Sequence, residues 1–272
     1  MASGIRAIIF DMGNTLWFEA RTPARDDLHA LLSQRLEPLV ASWQLRLDLP
    51  AADVHFEAWD AYMAAEQIER ERGRFVDPSL PFLIRGALAV RGHEISEAQA
   101  DAWWRAAYLP VTVFGWQLYP DTLDVLRELK SLGIRVGVNT NRPFTSDMFT
   151  ADLDDYGIAP YVDAVVCSGD TGYYKPHPST FRLVLERLGV LAAETLMVGD
   201  DCLGDMQGAR GVGMQTVWKL NGRYDAPRCS DADYAIHDLA ELLALPLLTR
   251  APRPVASTES LTPHEDNNED RY

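Results

Sequence analysis

Lysine is nearly missing from this 272-residue chain: among 25 basic residues only Lys130, Lys175 and Lys219 are lysines, and the rest are arginines. Chemistry that requires an ammonium therefore has three candidates. Cysteine is also scarce. The three present, Cys167, Cys202 and Cys229, show neither pairing nor metal-ligand spacing, so the reading from sequence is no disulfide framework and no zinc site. No apolar run approaches the roughly 18 residues that a membrane helix needs, and the N-terminal run is too short for a signal peptide. The expected location is the cytoplasm. Positive charge is outweighed: 25 basic against 40 acidic residues leaves a formal charge of −15. That balance excludes sequence-independent binding to nucleic acid or anionic membranes, which needs a basic face. A small anionic substrate in a locally positive pocket remains compatible with it. Nothing in the chain assigns an oligomeric state.

What is present is a change of period along the chain. Residues 5–10 form a short apolar run that stops at Asp11-Met12-Gly13-Asn14-Thr15, the pattern of a buried strand delivering Asp11 at its end. The stretch from about 23 to 108 reads as helices only, at about 24–47, 52–72, 79–91 and 96–108, with a capping box at Ser96 and Gln99. Trp43, Trp59, Trp103 and Trp104 fall here and read as the core of a helical bundle. After Pro120 the pattern becomes strand and helix in alternation: strands at 134–138, 162–167, 195–198, 215–218 and 234–236, and helices at 122–132, 146–156, 179–188, 203–211 and 239–245. This is the signature of an α/β fold with a parallel sheet covered on both faces. The predicted division is a Rossmann-like core of residues 1–16 and 117–247, an inserted all-helical unit of residues 17–116, and a disordered acidic tail of residues 248–272.

Ligands of such sheets bind at the carboxyl ends of the strands. Four features sit there: Asp11, Thr140-Asn141, Lys175, and Asp200-Asp201 with Asp205. Each alone is common loop chemistry, but the ordered set suits phosphoryl transfer. A carboxylate can attack phosphorus. Two further carboxylates can hold a hard divalent cation such as Mg²⁺. A hydroxyl, an amide and a lysine can bind the dispersed negative charge of the transferred group.

The segments FDMGNTL, VGVNTNRP, GYYKPHPSTF and MVGDDCLGDMQGARGVG, spread over about residues 4–245, resemble the four motifs of the haloacid dehalogenase-like hydrolases. The resemblance implies a Rossmann-like core with a helical cap inserted after the first strand. It implies Asp11 as nucleophile, Thr140 and Lys175 as phosphoryl-binding and stabilising groups, Asn141 as a substrate contact, and Mg²⁺ held by Asp11, the Gly13 carbonyl, Asp200 and Asp205. The expected activity is a Mg²⁺-dependent phosphatase acting on a small phosphorylated metabolite. One position departs from the pattern: Gly13 stands where the family's first motif carries a second Asp, the general acid and base. If that proton is supplied locally, Asp201, Glu19 and His177 lie beside the motifs. Alternatives are a catalytically weak or inactive binding protein of the same fold and, with less support, a dehalogenase. Schiff-base phosphonate chemistry would need a cap lysine, and residues 17–116 contain none. Arg70, Arg72, Arg74, Arg85 and Arg91 read as solvated helix residues that could reach a substrate.

Overall fold

The computed structural model describes residues 4–222 and 229–248. The chain starts with β1 (Ala7–Phe10) and β2 (Trp17–Glu19), runs through α1 (Arg25–Ser42), α2 (Ala51–Glu71), α3 (Leu80–Ala89) and α4 (Glu97–Ala106), and returns on β3 (Trp116–Leu118). Alternation follows: α5 (Thr122–Ser131), β4 (Arg135–Thr140), α6 (Ser146–Asp155), β5 (Ala164–Cys167), α7 (Ser168–Thr171), α8 (Pro178–Leu188), β6 (Thr195–Gly199), α9 (Gly208–Gly211), β7 (Gln215–Lys219) and β8 (Tyr234–Ile236). A six-stranded sheet has the order β5-β4-β1-β6-β7-β8, and its pairings are all parallel. This is the α/β, Rossmann-like core that the alternating pattern predicts.

Register explains why the chemistry gathers at one edge. Phe10 pairs with Val138 on one side and Val198 on the other, so Asp11, Thr140 and Asp200 all follow the same row. Successive β1 side chains face opposite ways. Ile8 and Phe10 join a core with α5 and α6, while Ala7 and Ile9 join a second core against α8. The central strand is therefore buried on both faces, which is why it reads as a continuous apolar run.

Helices α1–α4 bury a separate core built on Leu36, Val54, Ala58, Ile84, Leu88 and Trp103. The capping box of α4 is present: Gln99 N donates to Ser96 Oγ at 3.2 Å, and Ser96 N donates to Gln99 Oε1 at 2.9 Å. The helical lobe connects to the core through an antiparallel ribbon that the sequence does not announce, with Trp17 paired to Leu118 and Glu19 to Trp116. The lobe also leans on the core elsewhere. Trp104 of α4 stacks on Phe144 with ring centroids 4.4 Å apart and planes at 5°. Arg105 reaches Asp147 at 2.7 Å, and Tyr174 Oη donates to the Glu66 carbonyl at 2.8 Å.

Three readings change. Residues 202–207 form a π-helix before the short α9, where a plain helix was expected, and residues 239–244 are 3₁₀. Cys202 and Cys229 form a disulfide with Cα atoms 5.7 Å apart, against the expectation of no bond. The loop after β6 and the segment before β8 meet in space although 27 positions separate the cysteines, and no short spacing encodes that. The proposed acidic tail lies, beyond Leu248, outside the described residues. Among those described, no helix is long and apolar enough to cross a membrane.

Candidate active site

Lys175 is the centre of the cluster. Its Nζ donates to Asp11 Oδ1 at 2.6 Å and to Asp205 Oδ1 at 2.6 Å, and the side chain is buried. Burial opposes the ammonium charge, but Asp11 and Asp205 outweigh it and hold Lys175 above the ordinary lysine range. The backbone is fixed as tightly as the tip. Lys175 N donates to Asn141 Oδ1 at 2.8 Å, and a cis peptide joins Lys175 to Pro176. Asn141 thus ties the loop after β4 to the lysine loop.

Asp11 leaves β1 with its N–H still in the sheet, donating to the Val198 carbonyl at 2.9 Å. Asp200 leaves β6 beside it, and its carbonyl accepts Trp218 Nε1 at 2.8 Å. Asp205 projects back from the π-helix. Its Oδ2 accepts the Asp201 N–H at 3.1 Å, and Asp201 Oδ1 accepts the Leu203 N–H at 3.0 Å. The return depends on Gly199: a Cβ there would sit 2.1 Å from Asp205 Oδ2, so only glycine lets that carboxylate in.

One oxygen each from Asp11, Asp200 and Asp205 lies within 4.8 Å of the others. The three carboxylates thus converge where Lys175 already holds two of them. Burial, reinforced by Asp11 and resisted by Lys175, pushes Asp205 up to about 7. An all-oxygen, carboxylate-rich donor set fits a hard divalent cation such as Mg²⁺. Thr140 is buried at the end of β4, and with Asp11, Gly13, Asn141, Lys175, Asp200 and Asp205 it lines a cavity of about 390 Å³.

The other sequence candidates disperse. Asp201 lines this cavity but caps the π-helix. His177 caps α8 and stacks on Tyr173 at 3.8 Å, and it lines neither this cavity nor the one beside it. Glu19 lies on the neighbouring cavity. The lobe arginines hold acidic neighbours: Arg70 pairs with Glu66, Arg72 and Arg74 with Glu69, Arg85 with Glu97, and Arg91 with Glu57. Sequence reasoning missed Trp59, Trp116, Arg142 and Phe144, which complete the cavity wall. Trp59 reads as core because its helix is amphipathic; only the docking of the lobe turns it to the cavity. Arg142 follows Thr140-Asn141 directly, and that adjacency is the signal that could have flagged it.

The haloacid dehalogenase-like hydrolase family model matches residues 5–213. The chain belongs to that family. Its relatives include a ribulose-1,5-bisphosphate 5-phosphatase of Halopiger xanaduensis, 37% identical over 54% of this chain and 62% of its own length. A glyceraldehyde 3-phosphate phosphatase of Methanocaldococcus jannaschii is 38% identical over 46% of this chain and 54% of its own length. The chain thus spans little more than half of these two relatives. A phosphoserine phosphatase of Thermus thermophilus is 29% identical over 76% of this chain and 85% of its own length. In three dimensions the fold is shared with a 2-haloacid dehalogenase of Pseudomonas syringae, with TM-score 0.58, 23% identity, and 90% of this chain and 99% of that one covered.

Proposed function

We propose that this member of the family is a Mg²⁺-dependent phosphohydrolase that cleaves small phosphorylated metabolites through an aspartyl-phosphate on Asp11. The observation that carries the reading is the buried Lys175 bridging Asp11 and Asp205 at 2.6 Å, at the floor of a cavity where three carboxylates converge. Asp11 Oδ1 is held by the ammonium, and Oδ2 makes no hydrogen bond to a described residue, so Oδ2 is the oxygen free to attack phosphorus. The Thr140 hydroxyl and Asn141 amide bind phosphoryl oxygens, and Lys175 balances their charge. Water then attacks the acyl phosphate and releases phosphate. Asp11, Asp200 and Asp205, with the Gly13 carbonyl, are the groups that would hold Mg²⁺, whose contribution is neutralising charge on the transferred group.

In this reading residues 17–116 are a cap over a core of residues 1–16 and 117–247, and a cap over the strand ends favours small substrates over folded proteins. The named phosphatase relatives support the substrate class, and the placement of three carboxylates favours a cation-assisted reaction over carbon–halogen cleavage by a lone aspartate. A second reading, a protein that binds phosphorylated ligands with little turnover, is favoured by Gly13 alone. Phosphate release from a panel of phosphorylated metabolites tests both. Release that needs Mg²⁺, stops with EDTA and is lost in Asp11→Asn is the expected result. Wild type and Asp11→Asn releasing phosphate equally would refute the mechanism, and tight binding of a phosphate analogue without release would favour the second reading.

A further inference from the structure

Beside the carboxylate cavity lies a second one, of about 320 Å³, whose wall is mostly apolar and rich in aromatic rings. Phe56, Trp59, Trp104, Phe114, Trp116 and Phe144 supply its rings. Four residues, Trp59, Trp116, Arg142 and Phe144, line both cavities, so the two meet along one shared wall. Charge is nearly absent from the annex: Arg142 stands at the junction and Glu19 at the wall, while burial keeps His55 neutral. Arg142 is itself seated on rings, 5.0 Å from the Phe149 centroid and 5.5 Å from that of Trp17. Gly13 lines the carboxylate cavity beside this wall: a Cβ at position 13 would make ordinary contact with the edge of the Trp116 ring at 3.7 Å.

Resting on the phosphohydrolase reading, we propose that the annex receives the leaving group, and that the substrates are phosphate monoesters of aromatic alcohols. An apolar cavity of about 150 Å³ accommodates benzene, so one of about 320 Å³ suits a bicyclic ring. The chemistry agrees with the missing acid. Asp11 Oδ2 forms a bond to phosphorus while the bond to the aryl oxygen breaks. That oxygen leaves with the electron pair as a phenolate and takes its proton from water. A stable phenolate needs little help from a general acid, whereas a sugar alkoxide would need it. The apolar wall also selects against polyhydroxylated leaving groups, whose hydroxyls would lose water without gaining partners.

The test compares 2-naphthyl phosphate, acetyl phosphate and glycerol phosphate at fixed Mg²⁺. Acetyl phosphate has a good leaving group and little apolar surface, so it separates leaving-group ability from annex binding. We expect kcat/KM for 2-naphthyl phosphate to exceed that for acetyl phosphate by at least about tenfold, the low end of what burying a large apolar group is worth. Ala107→Phe fills the annex from a residue that does not line the carboxylate cavity and should lower the 2-naphthyl value at least about tenfold with acetyl phosphate unchanged; Leu28→Trp, at a half-buried position that also lines only the annex, serves if Ala107→Phe does not fold. Independently of turnover, 2-naphthol should quench tryptophan fluorescence in the wild type, and the filled variant should lose that quenching. Acetyl phosphate turned over as well as 2-naphthyl phosphate, with both unaffected by filling, would overturn the annex while leaving the phosphohydrolase standing. No Asp11-dependent release from any ester would overturn the phosphohydrolase. Absence of 2-naphthol quenching would then overturn the annex as well.

Discussion

Gly13→Asp is the most informative single substitution, because the site has room for the side chain it lacks. The backbone at position 13 is one that ordinary L-residues adopt, and a Cβ would make normal van der Waals contact with Trp116 at 3.7 Å. The new carboxyl would stand at the cavity that Asp11, Asp200 and Asp205 also line. Like charges nearby raise a carboxyl pKa, and a raised pKa is what a proton donor at neutral pH requires. General acid catalysis is worth about 10²–10⁴-fold, or about 3–5 kcal/mol of barrier at 1.36 kcal/mol per decade. That gain depends on the leaving oxygen. Alkyl phosphates should be hydrolysed at least about 10²-fold faster by Gly13→Asp than by wild type, and aryl phosphates within a few-fold of wild type. The assay is a leaving-group series at saturating Mg²⁺, plotted as log kcat against the leaving-group pKa, with Gly13→Ala controlling for bulk. A shallower slope in Gly13→Asp than in wild type and Gly13→Ala is the expected result. Identical slopes in all three would mean that another group already donates the proton, and Asp201 at the cavity wall would be the next to substitute.

Other outcomes follow from single side chains. Lys175→Arg and Lys175→Ala should both lose about 10²–10³-fold in kcat, because a compact ammonium can meet two carboxylates at 2.6 Å in a buried slot where a planar guanidinium needs different geometry; near-wild-type activity in Lys175→Arg would show that charge alone suffices. His55 is buried and burial pushes it down to about 4, so as pH falls from 6.5 towards 4 the unfolded chain takes up a proton that the native state refuses. Its share of stability, complete above pH 6.5, is lost over that window to the extent of about 3 kcal/mol, and urea midpoints at pH 7 and pH 5 should differ less in His55→Phe than in wild type; equal differences would refute it. Opening the Cys202–Cys229 bond with a reductant should cost about 3.5 kcal/mol for a loop of this length, read as a lowered urea midpoint that Cys229→Ser reproduces without reductant. An unchanged midpoint would show that the bond adds nothing in solution.

The parallel sheet was legible because its strands are short apolar runs between turn formers and its helices recur on cue. Five of its six strands lie in the stretch after Pro120, where period alone suffices. The β2–β3 ribbon was not legible. Each strand is three residues long, and Trp17 meets Leu118 across about a hundred residues of helix, so neither period nor turn signal marks the pairing. The π-helix at 202–207 hides for another reason. Its departure from α geometry accompanies tertiary demands, with Asp205 directed to Lys175 and Asp201 capping Leu203, and such bulges gather at functional sites rather than at particular propensities.

The polar half of the site follows from a rule that sequence can apply: residues directly after parallel strands share an edge, so Asp11, Thr140 and Asp200 are neighbours once the strands are found. The apolar half obeys no such rule. Trp103 and Trp104 are adjacent on α4, and both are nearly inaccessible to solvent, yet only Trp104 borders the annex, where it stacks on Phe144 from a core loop. Trp59 and Trp116 come from a lobe helix and a linking strand, and they become one wall only when the lobe docks. A tryptophan at helical spacing carries the same pattern whether it fills a bundle or faces a ligand. What distinguishes the two is the identity of the surface opposite, and that is a property of how the lobe sits on the core. In the proposed reading, substrate choice would therefore be written in the docking geometry, and the phosphoryl chemistry in the strand ends.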